Sequence, residues 1–234
     1  MPIASCLQAV PGSPRPRCAG EGHGEPGQMG TPAFGASSTL GETRRGLRVP
    51  PSVVVVGTSL GGLAALSSML RAIPAAFAVP IAVVQHRGKT DDDALERLLA
   101  AQTSLRVSEP NDKDPLEPGR IYLAPADYHL LIEPTSIALS TAPPRNFARP
   151  SIDVLFESAA EAYGSGVIAV VLTGSNHDGA AGARRVKERG GRVFVEDPAT
   201  AHSSAMPASA IAAASVDAVL PLSKLCERLV AECK

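Results

Sequence analysis

One short segment of the sequence, Gly57-Thr58-Ser59-Leu60-Gly61-Gly62, has the residue types and spacing of a nucleophile turn. It matches G-x-S-x-G, in which a sharp turn between a strand and a helix exposes a serine hydroxyl above a sheet. Glycines allow the tight turn, and amide groups at the helix start can hold an oxyanion. The alternative is a phosphate loop of a dinucleotide fold. The spacing, however, is neither G-x-G-x-x-G nor that of a Walker loop.

A serine nucleophile needs a general base, and the sequence offers five histidines. His86 directly follows a second apolar run, residues 80–85, so it lies where a predicted strand ends. Catalytic groups of open parallel sheets collect at the carboxyl ends of the strands, so we expect His86 to meet Ser59. A hydrogen-bonded loop histidine without a catalytic role is the competing interpretation.

A carboxylate at another strand end would complete the set. Asp178 follows the apolar run 166–172, opens a predicted helix and can accept a hydrogen bond from His86. It could instead only cap that helix. His177 and Asp178 could form a metal pair, but no further histidine or carboxylate lies nearby at ligand spacing, so no metal is expected.

The resulting order along the chain, Ser, His, Asp, differs from that of conventional α/β-hydrolases, in which the acid precedes the histidine. Three later histidines could serve that other order: His129, His177 and His202.

The elements around these residues alternate between strand and helix. The predicted strands are 52–57, 80–85, 166–172, 192–195 and 218–220, with further short strands between 105 and 139. The predicted helices are 62–72, 151–163 capped by Ser151, 178–189, 206–214 and 221–233, and one that starts at Thr90. In the first helix, Leu63, Leu66 and Leu70 share one face. The pattern predicts a single α/β domain, a doubly wound and mainly parallel sheet with helices on both faces.

Composition narrows the class of protein. The net charge of −1 and an aromatic content of 3% argue against nucleic-acid binding. No apolar run approaches the length of a membrane helix and no secretory signal is evident, so we expect a cytoplasmic protein without membrane insertion. The four cysteines fit a reducing compartment and form no C-x-x-C pair: Cys6, Cys18, Cys226 and Cys233.

Residues 1–50 differ from the rest, since they hold 9 Gly and 7 Pro. We expect a disordered tail there and a catalytic domain over residues 51–234.

The chain resembles the catalytic domain of the chemotaxis protein-glutamate methylesterases, the CheB family, over about 53–222. The resemblance rests on several separate blocks in the same order. They are 57–62, Gln85-His86, 122–129, Pro143-Pro144 with 149–156, 172–174 with 178–180, and Met206-Pro207 with Ala210-Ile211.

The resemblance implies a triad of Ser59, His86 and Asp178, with Thr58, Leu60 and Ser175 at the oxyanion and substrate-binding positions. It implies hydrolysis of glutamate γ-methyl esters on cytoplasmic chemoreceptor helices, and deamidation of receptor glutamines as a second activity. No cofactor is implied.

The chain departs from the family pattern in three places. The first 50 residues are too short for the receiver domain that members usually carry, so a separate regulator acting in trans is an open partner. Leu60 replaces a typical threonine, and Ser175-Asn176 replace Met-Gly, which changes the oxyanion loop. The remaining alternatives are an esterase for another signalling substrate, a non-catalytic binding module that keeps the fold, and a nucleotide-binding domain.

Overall fold

The computed structural model describes residues 52–88 and 93–234, and these residues alternate between strands and helices along most of the chain. The strands are β1 (Val53–Thr58), β2 (Ile81–Gln85), β3 (Arg106–Ser108), β4 (Arg120–Leu123), β5 (His129–Ile132), β6 (Ile137–Ser140), β7 (Val167–Val171), β8 (Arg192–Glu196) and β9 (Ala218–Leu220). The helices are α1 (Gly62–Ala72), α2 (Ala94–Ala100), α3 (Ile152–Tyr163), α4 (Ala180–Glu188), α5 (Ala205–Ala213) and α6 (Leu222–Glu232).

Seven of the strands form one parallel sheet in the order β3-β4-β2-β1-β7-β8-β9. The chain proceeds outward from β1 through β2, then crosses back to place β7 on the other side of β1. This reversal creates a crevice at the carboxyl ends of the central strands, where ligands bind in open α/β sheets. The predicted doubly wound parallel sheet is confirmed.

The core lies in two layers, one on each face of the sheet. Successive side chains of β1 point to opposite faces, so Val53 and Val55 join one cluster while Val54 and Val56 join the other. Helices α3, α4 and α5 cover the first face, and α1, α2 and α6 cover the second. Each fully buried valine stabilises the fold by roughly 1.5–3 kcal/mol, which is why these runs set the strand positions.

Four local expectations have different outcomes. Leu66 and Leu70 of α1 are buried, but Leu63 is 41% exposed, so the predicted shared apolar face is wrong at that residue. Ser151 stands at the N-cap position of α3, yet its side chain makes no cap hydrogen bond to that helix. The proposed helix start at Thr90 and the predicted tail at 1–50 lie outside the described residues.

The remaining two strands, β5 and β6, pair as an antiparallel hairpin outside the main sheet. Among the described residues, no helix combines the length and apolar character that crossing a bilayer requires.

Candidate active site

Ser59 stands in a tight turn between β1 and α1. Its amide donates to the Thr173 carbonyl at 3.0 Å, and its own carbonyl accepts from the Gly62 amide at 2.9 Å. Gly61 closes the turn with a φ of +81°, in the left-handed region that favours glycine. These bonds fix the backbone of the serine while its hydroxyl faces the crevice.

His86 follows β2, and its ring reaches both partners predicted for it. The ring Nδ1 lies 3.2 Å from the Ser59 hydroxyl oxygen, and Nε2 lies 2.8 Å from Asp178 Oδ2. Since the carboxylate can only accept, Nε2 carries the proton and Nδ1 is left as the acceptor facing the serine. Which ring nitrogen faces which partner was not derivable from the sequence.

Gln85 holds the backbones of the serine and the histidine together. Its side-chain Nε2 donates to the Ser59 carbonyl and to the His86 carbonyl, each at 2.9 Å. The same side chain passes so close to Gly62 that a Cβ there would lie 2.1 Å from Gln85 Oε1. The sequence pairs Gln85 with His86 in the family resemblance but gives no sign of this bridging role.

Asp178 is completely buried at the start of α3, although it belongs to the loop before α4. Its carboxylate accepts from the Ile152 amide at 2.7 Å, the Asp153 amide at 3.1 Å and the Ser151 hydroxyl at 2.9 Å. The free amides of a helix N-terminus favour a negative charge, so this position suits an ionised carboxylate. Burial alone raises the pKa of Asp178, but the bonds from His86 and the α3 amides outweigh it and leave the pKa below its ordinary value.

A second carboxylate caps helix α4 in the way that Asp178 caps α3. Asp153 of α3 accepts from the Gly179 amide at 2.9 Å and the Gly182 amide at 2.7 Å, at the start of α4. Each of the two helices is therefore capped by a carboxylate from the other segment. Burial raises the pKa of Asp153, as does the nearby charge of Asp178, although the Gly182 amide opposes the shift. Sequence reasoning missed Asp153, because helical periodicity marks such a residue only as one more surface acid.

Asn176 also belongs to the site and was missed as a functional residue. Its Oδ1 accepts from the Asp178 amide at 3.2 Å, which directs its Nδ2 toward His86 Nδ1 at 3.3 Å. The amide can thus donate to the same ring nitrogen that faces Ser59. Asn176 therefore places a polar group against the His86 imidazole.

The three predicted oxyanion and substrate positions differ in their surroundings. Leu60 and Ser175 are exposed and line the cavity beside Ser59, and neither backbone amide has an acceptor within the described part of the chain. Thr58 is fully buried, and its hydroxyl donates to the Thr173 carbonyl at 2.9 Å. Its side chain therefore supports the turn and does not line the cavity, which corrects the expectation of a substrate contact there.

The cavity next to Ser59 has a volume of about 900 Å³ and a largely apolar wall. Leu60, Leu63 and Leu98 contribute to it, and His202 lies at its edge. The other late histidines do not replace His86. His129 is buried with both ring nitrogens engaged, one by Pro143 and one by Ser151, and His177 is exposed on a neighbouring cavity that does not include Ser59.

A hydroxyl, an imidazole and a buried carboxylate joined in this order, at the carboxyl edge of a parallel sheet, form the arrangement that serine hydrolases use. Comparisons with known proteins also indicate a hydrolase. The family model described as CheB methylesterase matches residues 54–229.

Several curated proteins are similar to the chain over the same region. A putative protein-glutamate methylesterase/protein-glutamine glutaminase of Leptospira interrogans is 44% identical over 178 residues, which cover 76% of this chain and 92% of that protein. A protein-glutamate methylesterase/protein-glutamine glutaminase of Trichodesmium erythraeum is 38% identical, but the match covers only 52% of its length. The chain likewise spans about half (53%) of the protein-glutamate methylesterase FrzG of Myxococcus xanthus, at 39% identity.

Among solved structures, the CheB methylesterase catalytic domain of Thermotoga maritima superposes with a TM-score of 0.75 at 37% sequence identity. The match covers 78% of this chain and 99% of that domain. The chain therefore belongs to the CheB methylesterase family, and the resemblance inferred from its sequence is confirmed.

Proposed function

We propose that this protein hydrolyses glutamate γ-methyl esters on the cytoplasmic helices of chemoreceptors. The observation that carries the proposal is the continuous hydrogen-bonded chain from Ser59 through His86 to Asp178. The names of the relatives support a protein glutamate ester as the substrate class, and they support deamidation of protein glutamines as a second reaction at the same site. Both reactions replace a leaving group on the same glutamyl carbonyl.

In the proposed first half-reaction, the Ser59 oxygen attacks the ester carbonyl while His86 Nδ1 takes the hydroxyl proton. Backbone amides of Leu60 and Ser175 are the candidate donors to the oxyanion, and the loss of one such donor typically costs about 100-fold or more in rate. The bond to methoxide then breaks, and Nδ1 returns the proton so that methanol leaves. Asp178 holds the ring and offsets its transient charge.

In the second half-reaction, water attacks the glutamyl-serine ester. His86 Nδ1 takes a proton from this water and passes it to the Ser59 oxygen as the ester bond breaks, which releases the glutamate carboxylate. No cofactor is required by this sequence of steps. The proposed location is the cytoplasm, with residues 51–234 as the catalytic domain and a separate protein as regulator in trans.

A direct test compares wild type with Ser59→Ala on a methylated receptor fragment, with methanol release as the readout. We expect the variant to lose turnover and to keep the circular dichroism spectrum and melting temperature of the wild type. Ser223→Ala, an exposed serine on α6, is the matched control and should behave as wild type. Methanol release that persists in Ser59→Ala would show that the mechanism is wrong.

Fluorophosphonate labelling separates this proposal from a binding module that keeps the fold. A hydrolase should be labelled at Ser59, and Ser59→Ala should abolish the label, whereas a binding module should not react. If wild type is labelled but no receptor fragment releases methanol, an esterase for another signalling substrate is the better assignment.

A further inference from the structure

A two-residue turn beside the site holds an aromatic side chain in an unfavourable backbone conformation. Arg145 and Ala148 exchange two backbone hydrogen bonds, of 3.0 and 2.9 Å, and the residues between them have φ values of +50° at Asn146 and +63° at Phe147. Positive φ at both central residues is the signature of a type I′ turn, for which Asn-Gly is the preferred sequence. Phe147 therefore occupies the position at which glycine is favoured.

The Phe147 side chain contributes little to the folded core, because it is completely exposed. Its relative accessibility is 103%, whereas no other exposed large apolar side chain of the described residues exceeds 54%. Because the Phe147 ring is already in water, its burial contributes nothing to the free energy of folding. The backbone at this residue is also strained in the folded state. The lack of burial and the backbone strain both favour a smaller residue at this position. Fold stability therefore does not explain why a phenylalanine occurs here.

The turn is fixed rigidly to the proposed catalytic residues. Asn146 Nδ2 donates to Asp153 Oδ2 at 2.9 Å and lies 3.5 Å from Asp178 Oδ1. Arg145 makes two bonds to the Glu157 carboxylate, of 2.5 and 2.7 Å. Phe147 is thus displayed at a fixed place relative to the triad.

Phe147 also borders the same crevice. A cavity of about 440 Å³ next to the site is lined by Phe147 together with His86, Asn176 and His177. On the other side, His86 lines the larger cavity, whose wall includes Leu60, Leu63 and Leu98. Apolar side chains therefore stand on both sides of the histidine.

The charged side chains near Phe147 are already paired with each other. A partner that contacts this region would therefore meet Phe147 mainly through its apolar ring. The neighbouring arginines are paired within the protein, Arg145 with Glu157, Arg149 with Asp127 and Arg87 with Glu109. Aromatic side chains, including phenylalanine, are enriched at the cores of protein interfaces, where charged residues are depleted.

We propose that Phe147 is a specificity-determining residue that inserts into an apolar contact on the protein substrate, next to the glutamyl ester that enters the crevice. This inference rests on the proposed function, since it takes the substrate to be a folded protein surface and not a free small ester. A helical surface that carries an apolar side chain near the modified glutamate has the required chemistry.

The test compares wild type and Phe147→Ala on two substrates, a methylated receptor fragment and p-nitrophenyl acetate. We expect kcat/KM on the receptor fragment to fall about 10-fold more than kcat/KM on the small ester, mainly through a higher KM. Lys113→Gly is the matched control, because Lys113 is exposed, has a φ of +67° and lies outside the site. That variant should leave the ratio of the two activities unchanged.

The melting temperature of Phe147→Gly tests whether the ring instead stabilises the fold. The inference predicts a higher melting temperature, whereas a structural role of the ring predicts a lower one. Relief of the strained backbone should raise the melting temperature by about 2–4 °C, while the activity on the receptor fragment falls as in Phe147→Ala. A lower melting temperature would show that the ring serves the fold and would overturn the inference.

The remaining outcomes are also decisive. If wild type hydrolyses the receptor fragment and both Phe147 variants do so equally well, the inference alone fails. If wild type does not hydrolyse it, the proposed function fails, and the substrate contact of Phe147 falls with it. A change from dimer to monomer in Phe147→Ala without a change in the activity ratio would show that a second copy of the chain is the partner.

Discussion

Replacement of Asp178 by asparagine should damage stability as well as catalysis. The carboxylate accepts at Oδ2 from the Ile152 amide and His86, and at Oδ1 from the Ser151 hydroxyl and from the Asp153 and Gly179 amides. Asparagine must place its NH₂ group at one of these two positions. In either orientation, the NH₂ group, which is a hydrogen-bond donor, faces at least two groups that donate in wild type.

The expected magnitude follows from that count. A hydrogen bond to a charged group contributes about 1.5–3 kcal/mol, so the loss of the two amide bonds at Oδ1 corresponds to about 3–6 kcal/mol of unfolding free energy. With the NH₂ group at Oδ2, only the Ile152 amide bond is lost, about 1.5–3 kcal/mol, because the His86 ring can change tautomer. The loss at Oδ1 is a large part of the roughly 5–15 kcal/mol typical of a domain. If the NH₂ group turns to His86, the imidazole proton must also move to Nδ1, which removes the base, and a rate loss of about 10⁴-fold is expected.

Urea denaturation and fluorophosphonate labelling measure the two effects separately. Asp93→Asn is the control, since that side chain is 79% exposed, and it should change the unfolding free energy by less than about 0.5 kcal/mol. The capping argument would be refuted if Asp178→Asn unfolded within about 1 kcal/mol of wild type. Labelling within tenfold of the wild-type rate would refute the role assigned to the carboxylate in orienting the base.

Two further predictions concern pH and the nucleophile turn. Because the pKa of Asp178 is depressed in the folded state, its contribution to stability is present above about pH 4 and is lost as the pH falls through the folded-state value. The difference in unfolding free energy between wild type and Asp178→Asn should therefore stay constant from about pH 6 to about pH 4 and narrow as the pH falls further. A difference that stays constant below about pH 4 in urea titrations would contradict the linkage. Gly61→Ala should cost about 1–3 kcal/mol and slow labelling of the serine, since its Cβ would lie 2.6 Å from His202 Cβ at a φ of +81°. Gly88→Ala, whose Cβ would meet no described atom within 4 Å, is the control and should match wild type in both assays.

The sequence was sufficient to predict where the sheet lies and which strand ends meet. Short runs of β-branched residues such as those of β1 and β7 are typical of strands buried on both faces of a parallel sheet, and parallel strands bring their carboxyl ends to one edge. Ser59 and His86 lie at the ends of such runs, and Asp178 lies in the loop that follows another, so their meeting could be expected from position alone. The family resemblance agreed with that placement.

The groups that orient these residues could not be predicted in the same way. Gln85, Asn176 and Asp153 act through side-chain hydrogen bonds to segments distant in sequence, and these depend on loop paths that no periodicity encodes. Ser151 shows the limit clearly. Its type and position were right for a helix cap, but the hydroxyl donates to Asp178, whose carboxylate already satisfies the amides of that helix.

The reciprocal capping of α3 and α4 bears on how relatives of this protein should be interpreted. A descendant that had abandoned ester hydrolysis would still need an acid at position 178 to keep two helices anchored, so selection for folding alone would preserve it. The persistence of that acid is therefore weak evidence that a homologue still turns over substrate. Among the described contacts, the Ser59 hydroxyl has no structural role of this kind. Loss of this serine in a homologue would therefore be the earlier sign that ester hydrolysis has been lost.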